Sequence, residues 1–182
     1  GYQMLGQKLS DPEGVEAGGS IRGMGLLPTE TVFSREKTRT RVRGVFREMD
    51  GIFAKLAGLE LEGYEIHMGE TVLKEGCQTM TRLEARTGEK HDGKLDGAWQ
   101  GQVFGTYIHG VFDREQVAKA VVTALGAKKG VDMSGVCGVD FARFKESQYD
   151  LLAQGLRENL DMKKIYEILE AGLPGTAKEE KS

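Results

Sequence analysis

A mixed α/β domain built around one hydrophobic core is what the sequence predicts. Residues 61–71 alternate apolar and polar side chains with a period of two, which is typical of a β-strand. Residues 103–108 are rich in strand-forming side chains and lead into residues 113–126, where apolar residues recur at helical spacing. With 182 residues and 39% hydrophobic content, the chain can bury one core, and we expect one globular domain or a large part of one.

The first half of the chain begins with a predicted helix over residues 2–9, because Met4, Leu5 and Leu9 recur at helical spacing. Glycine density, alternation and turn residues define the segments that follow. They are a loop over 15–25, an extended segment over 25–33, a half-exposed strand over 38–46 and a short helix over 50–58.

The second half of the chain combines polar segments with helices. Its predicted segments are a weaker strand over 78–86, a polar loop over 87–97, an irregular stretch over 127–139 and a helical stripe over 141–169. Asp140 is placed to cap the last helix, and Gly155, which costs about 1 kcal/mol relative to alanine, marks a candidate break within it. His91 lies among the charges of the polar loop, and we expect it at the surface.

Composition excludes several classes of function. The formal net charge is −3 and the basic residues are mixed with acidic ones, so no nucleic-acid partner is expected. The basic neighbourhood at residues 39–43 is interpreted as the solvated face of a strand. No apolar run approaches the roughly 18 residues that a membrane span needs, so we expect a cytoplasmic protein without a membrane partner. Cys77 and Cys137 are far apart and lack CxxC spacing, which favours reduced thiols over a disulfide framework or a zinc site.

His109 is the first candidate catalytic residue, because it ends a predicted strand just before a helix. Gly110 allows a sharp turn after it, and Asp113 is predicted to be the N-cap of the helix, with Gln116 three residues on. An imidazole held by a strand end and reachable from a cleft suits a general base. Taken alone, however, a histidine in this position is more often structural than catalytic.

Glu65 and His67 form a second candidate feature on the predicted strand over 61–71. The alternation places Tyr64, Ile66 and Met68 on one face and this acid and histidine on the other, less apolar face. A carboxylate beside an imidazole raises its basicity or fixes its tautomer. The alternative is a polar pair on a solvated face, which spacing alone favours.

Several stretches resemble, in order and spacing, the C-terminal glutamine amidotransferase domain of the cobyric acid synthase family. They are residues 1–6, 63–71 and 105–113, and residues 11–16 and 25–28 between them are also similar to that family. The resemblance runs from Gly1 to about Gly126 and implies an α/β, class I glutamine amidotransferase-like (flavodoxin-like) sheet flanked by helices, with its N-terminal strands missing from this chain. The domain divisions that follow are a partial amidotransferase domain over 1–126, a helical extension packed on it over 127–171 and a flexible tail over 172–182.

The resemblance also implies the composition of a catalytic site. The family's nucleophilic cysteine would lie two residues before Gly1, and neither Cys77 nor Cys137 sits at a comparable strand-to-helix elbow. His109 corresponds to the family's catalytic histidine. Many class I relatives carry a glutamate at the position of Val111, so no triad acid is supplied locally.

Other side chains are assigned to this site less directly. Glu65 and Asp113 are the candidate acids for orienting His109, and a backbone carbonyl would serve as well. By the same resemblance, Tyr64 and His67 line the glutamine side of the cleft, although a packing role for Tyr64 is equally compatible with the sequence.

The implied function is the glutaminase part of an enzyme of cobalamin biosynthesis. Its partners would be glutamine, a missing N-terminal synthetase domain that uses ATP and Mg²⁺, and the corrinoid adenosylcobyrinic acid a,c-diamide, while this chain itself needs no cofactor or metal. Without the nucleophile the chain alone is expected to be inactive. The alternatives are a non-catalytic binding or docking domain, or the glutaminase domain of cobyrinate a,c-diamide synthase or lipid II isoglutaminyl synthase.

Overall fold

A computed structural model describes residues 1–86, 93–136 and 138–172 of the chain. His91 and most of the predicted polar loop, Cys137, and the predicted tail from residue 173 on lie outside the described residues. The chain forms two compact units, Gly1–Phe141 and the part from Ala142 on. This division differs from the predicted boundary at 126, which followed the extent of the family resemblance.

The first unit is a β-rich body with short helices. Its elements are α1 (Tyr2–Leu5), β1 (Lys8–Asp11), β2 (Gly19–Arg22), β3 (Thr29–Phe46), a 3₁₀ helix (Gly51–Leu56), β4 (Glu60–Leu73), β5 (Thr81–Arg86), β6 (Lys94–Asp96), β7 (Ala98–Gln100), β8 (Val103–Gly105), β9 (Ile108–His109) and α2 (Glu115–Lys128). The second unit contains nearly all of α3 (Phe141–Asn159) and α4 (Met162–Ala171).

The strands of the first unit form a mixed sheet in the order β2-β1-β3-β4-β9, with β5 also paired to β3 and β6 to β5. Strands β1 and β3 are parallel, and the other neighbours run antiparallel. Strands β7 and β8 make a separate two-stranded sheet. Sheet and helices together fit the α/β class that the sequence predicts.

The hydrophobic core lies on one face of this sheet. It joins side chains of β3, β4, β5 and β9 with Phe53 and Leu56 of the 3₁₀ helix and Val117 of α2, which is fully buried. Helix α2 therefore covers the sheet face that carries Leu61 and Ile108. This packing leaves the opposite face of β3 and β4 turned away from the core.

The predicted helix over residues 2–9 is wrong beyond Leu5. Gly6 is extended, the Gln7 amide donates to the Thr29 carbonyl at 2.8 Å, and Leu9 pairs with Thr31 in the parallel β1–β3 ladder. Sheet pairing thus overrides the helical spacing of the apolar residues. The loop predicted over 15–25 likewise contains β2, which pairs with β1.

Other predictions hold with shifted boundaries. Residues 29–33 of the predicted extended segment and the predicted strand over 38–46 belong to the one long strand β3, and the strand over 61–71 is confirmed as β4. Helix α2 continues past Gly126, and its N-cap is Arg114 rather than Asp113.

The final helical stripe divides later than predicted. Helix α3 continues through Gly155 and ends at Asn159. Asp161 then caps α4, with a side-chain oxygen that accepts from the Lys164 amide at 3.0 Å. A capping side chain, rather than the interior glycine, therefore marks the break.

Candidate functional site

His109 ends β9 and is directly paired with Tyr64 of β4. Because directly paired residues of an antiparallel ladder leave the sheet on the same face, both side chains lie on the side opposite the core. Gly63 makes this pairing possible, since a Cβ there would collide with the His109 carbonyl oxygen. Gly110 follows with φ of +81°, which allows the turn that leads into α2.

A cavity of about 350 Å³ opens beside His109. Its lining residues come from α1, β4 and the segment that leads into β9: Gly1, Tyr2, Gln3, Ile66, His67, Thr106, Tyr107, Ile108 and His109. A small polar substrate fits a cavity of this size. The start of α1 and His109 therefore share one cavity.

A hydrogen-bonded chain fixes the backbone just before His109. The Thr106 hydroxyl donates to Asp96 Oδ2 at 2.5 Å and accepts from the Ile108 amide at 3.0 Å. Asp96 is only 6% exposed. Burial raises the pKa of the Asp96 carboxyl and the nearby Glu65 carboxylate raises it further, against the hydrogen bond from Thr106.

Glu65 and His67 are brought together, but on the buried face. His67 Nε2 lies 2.8 Å from Glu65 Oε1, which also accepts from Lys94 Nζ at 2.7 Å. His67 Nδ1 lies 2.9 Å from the Gly69 carbonyl oxygen. Since both ring nitrogens face oxygen acceptors, both hydrogen bonds form only when the ring carries two protons or the Glu65 carboxyl carries one.

The assignment of Glu65 and His67 to the more solvated face of β4 is therefore wrong. Glu65 is fully buried, whereas Tyr64 is 52% exposed and Ile66 is 38% exposed. The core fixes the phase of the strand through Leu61, which lies on the same side as Glu65. Lys94, which provides the opposite charge, comes from β6, inside the predicted polar loop.

The two candidate orienting acids lie in different places. Glu65 pairs with Ile108, not with His109, so its side chain leaves the opposite face of the sheet from the imidazole. Asp113 lies at the turn after His109: its amide donates to the Gly110 carbonyl at 2.9 Å. Its carboxylate folds over Gly110, where an added Cβ would lie 2.8 Å from Oδ2.

Tyr107, which sequence reasoning missed, forms a wall of the cavity. Its ring stacks on His67 with centroids 3.8 Å apart and meets Tyr2 edge-on at 4.8 Å. Its hydroxyl bonds to Thr71 at 2.5 Å, and burial raises its pKa. The position of Tyr107 two residues before His109, within the stretch 105–113 that resembles the family, was the available signal.

Metal ligation has no support in the described part of the chain. Among those residues there is no group of three or more His, Cys, Asp or Glu side chains placed to hold a metal ion.

None of the helices in the described residues is long and apolar enough to cross a membrane.

Comparisons with known proteins give consistent matches. Residues 1–117 match the CobB/CobQ-like glutamine amidotransferase domain. A cobyric acid synthase of Ruminiclostridium cellulolyticum is 47% identical over 173 residues, which cover 95% of this chain and 34% of that protein. Those of Lachnoclostridium phytofermentans and Salmonella heidelberg are 42% and 44% identical, over 95% and 93% of this chain and 35% and 33% of theirs. The chain thus spans about a third of the length of these relatives.

Proposed function

Because the chain belongs to the CobB/CobQ-like glutamine amidotransferase domain family, we propose that it is the glutaminase part of a cobyric acid synthase. In the whole protein it hydrolyses glutamine and supplies ammonia for the ATP-dependent amidation of corrin carboxylates in cobalamin biosynthesis, in the cytoplasm. ATP, Mg²⁺ and adenosylcobyrinic acid a,c-diamide bind to the synthetase part. The relatives named cobyric acid synthase support this assignment.

One observation carries the proposal: His109 and Gly1, the N-cap of α1, line the same cavity. A cysteine two residues before Gly1 would lie at the entry to α1 and within reach of this cavity. Strand β9 lies at the end of the sheet among the described strands. A strand that leads to the cysteine therefore has a place beside β9, which supports the view that N-terminal strands complete the sheet.

The chemistry follows from a thiol and an imidazole in one cavity. His109 takes the thiol proton, and the thiolate attacks the side-chain amide carbon of glutamine. His109 then returns the proton to the departing nitrogen, so ammonia leaves and a thioester remains. Water hydrolyses the thioester to glutamate while His109 transfers a proton from that water back to the sulfur. Without the cysteine, the chain alone does not turn over.

The remaining site residues have supporting roles. Asp113 orients His109 across the Gly110 turn, because Glu65 lies on the opposite face of the sheet. Tyr64, the exposed partner of His109, and His67, which lines the cavity, flank the bound glutamine. A thiolate tolerates a weakly oriented base because an ion pair with histidine lowers the pKa of the thiol below about 8.5.

Covalent labelling tests this proposal. The full-length protein is treated with a thiol-alkylating analogue of glutamine, with and without excess glutamine, and the modified peptide is identified by mass spectrometry. We expect one glutamine-protected label on a cysteine just before Gly1. Labelling confined to Cys77 or Cys137, or labelling that glutamine does not prevent, would contradict the assignment.

A further inference from the structure

Strand β3 presents a row of basic side chains on the face that also carries His109. Lys37, Arg39, Arg41 and Arg43 follow one another at every second residue, and all are exposed. The row stands out because the chain as a whole has a net charge of −3. From the sequence alone, the part of this row at residues 39–43 has the pattern of an ordinary solvated strand face.

The row divides into paired and unpaired cations. Arg41 and Arg43 both form ion pairs with Glu62. Lys37 and Arg39 form no ion pair with any of the described residues, although β3 and β4 also carry acidic residues. Two positive charges therefore lie close together on β3 without an ion-pair partner among the residues that the structure describes.

These two residues flank the rim of the His109 cavity. Arg39 is the cross-strand partner of Ile66, which lines the cavity. Lys37 is the partner of Met68, whose carbonyl accepts from Gln3 Nε2 at 3.0 Å, and Gln3 also lines the cavity. Adjacent strands are about 4.8 Å apart, so the backbone of Arg39 lies one strand spacing from a residue of the cavity wall, and Lys37 lies two residues farther along the same strand.

Product chemistry requires something to cover this rim. Ammonia that escapes into water at neutral pH is protonated and loses its nucleophilic lone pair. The acceptor site must therefore close over the cavity, and the relatives have about two thirds of their length outside the matched region. A covering surface would bury Lys37 and Arg39, which is unfavourable unless it supplies opposite charges.

We propose that Lys37 and Arg39 dock a carboxylate-bearing surface of the synthetase part over the His109 cavity. The proposal rests on the proposed function and names the partner of that same site. Its occupant is one acidic polypeptide surface. Tyr64 and Ile66 provide the apolar floor between the two cations and His109, so that the contact combines apolar burial with charge complementarity.

Charge reversal in the full-length protein tests the docking. Lys37→Glu/Arg39→Glu is compared with Lys119→Glu/Lys129→Glu, which reverses two exposed charges on and just after α2. We measure glutamate release, amidation with glutamine and amidation with ammonium chloride. Glutamine-dependent amidation should fall by about tenfold in the first variant alone, while ammonium-dependent amidation and glutamate release stay within about twofold of the wild type.

The possible results distinguish a failure of the docking proposal from a failure of the proposed function. Unchanged glutamine-dependent amidation would overturn the docking proposal and leave the glutaminase assignment intact. A raised KM for glutamine in glutamate release would also overturn it, since the cations would then bind the substrate. A wild-type protein that releases no glutamate would instead remove the proposed function itself.

Zero-length crosslinking identifies the occupant. A carbodiimide joins the Lys37 amine to a contacting carboxylate as an amide, with loss of water, and Lys37→Arg keeps the charge but cannot react. We expect a crosslink from Lys37 to an Asp or Glu of the synthetase part, absent from the variant. A crosslink only to this chain or to a second copy of the protein would overturn the proposal.

Discussion

Tyr64 and His109 are directly paired across β4 and β9, so the two side chains leave the sheet on one face. Glu65, the next residue of β4, pairs with Ile108 and is buried on the other face. One residue of offset therefore separates the candidate catalytic imidazole from the buried acid. Glu65 and His109 are therefore neighbours in the β4–β9 ladder, but their side chains lie on opposite faces of the sheet.

Gly63→Ala tests the approach of β4 to β9. A Cβ at this position would collide with the His109 carbonyl oxygen, so the short strand β9 must shift and carry the imidazole with it. We expect glutamine hydrolysis by the full-length protein to fall at least about tenfold, because misplacement by about 1 Å costs that much or more. Gly155→Ala is the control, since a Cβ there meets nothing within 4 Å and alanine favours the helix. Wild-type activity in Gly63→Ala would contradict the described strand pairing.

Glu65→Gln should lower the stability of the protein and leave the function of His109 as a general base nearly unchanged. The change removes the charge that Lys94 and His67 share at Glu65 Oε1. We expect the free energy of unfolding to fall by about 1–3 kcal/mol in urea titrations, with little change in the pH dependence of glutamine hydrolysis.

Asp113→Asn is the matched variant at the other candidate acid. It leaves the buried pair intact but removes the charge beside the Gly110 turn, so it should slow hydrolysis by about threefold to tenfold, less than loss of the base itself, with little loss of stability. If Glu65→Gln, rather than Asp113→Asn, changed the pH profile, the assignment of the orienting acid would be reversed.

Asp96→Asn tests the buried carboxyl through the pH dependence of stability. Burial raises the pKa of Asp96 in the folded protein above its value in the unfolded protein. The contribution of Asp96 to the free energy of unfolding is therefore fully present below the unfolded pKa and is lost as the pH rises through the folded pKa. Asparagine keeps an oxygen for the Thr106 hydroxyl and does not ionise. The stability of the variant relative to the wild type should therefore increase from pH 4 to pH 8 in urea titrations. A relative stability that is constant or decreases over this range would contradict a raised pKa.

Much of the fold could be predicted because the signals are local. Period two identified β4, and the helical spacing after His109 identified α2. The predicted strand before His109 is divided into β8, which pairs with β7, and β9, which pairs with β4. The same spacing misled at Leu9, where a parallel ladder with Thr31 decides the conformation. A pairing between distant segments leaves no mark in a local pattern.

The motif that contains His109 could be predicted from the sequence, but the tertiary contacts of the residues around it could not. The face of β4 was inverted because Tyr64, Ile66 and Met68 look like a core stripe, whereas the packing of Leu61 against the core sets the phase. The charge partner Lys94 comes from a short strand in a polar segment, and the stacking of Tyr107 on His67 joins a residue just before β9 to a residue of β4. Such contacts depend on tertiary structure, which the alternation alone does not contain.

The central claim is that His109 is the general base of glutamine hydrolysis, and one comparison tests it most directly. Glutamate release by the full-length protein is measured for the wild type and for His109→Ala, with ammonium-dependent amidation as the control for folding. The account predicts a loss of about 10² to 10⁴ in the rate of glutamate release, with ammonium-dependent amidation retained. Equal rates of glutamate release in the two proteins would contradict it.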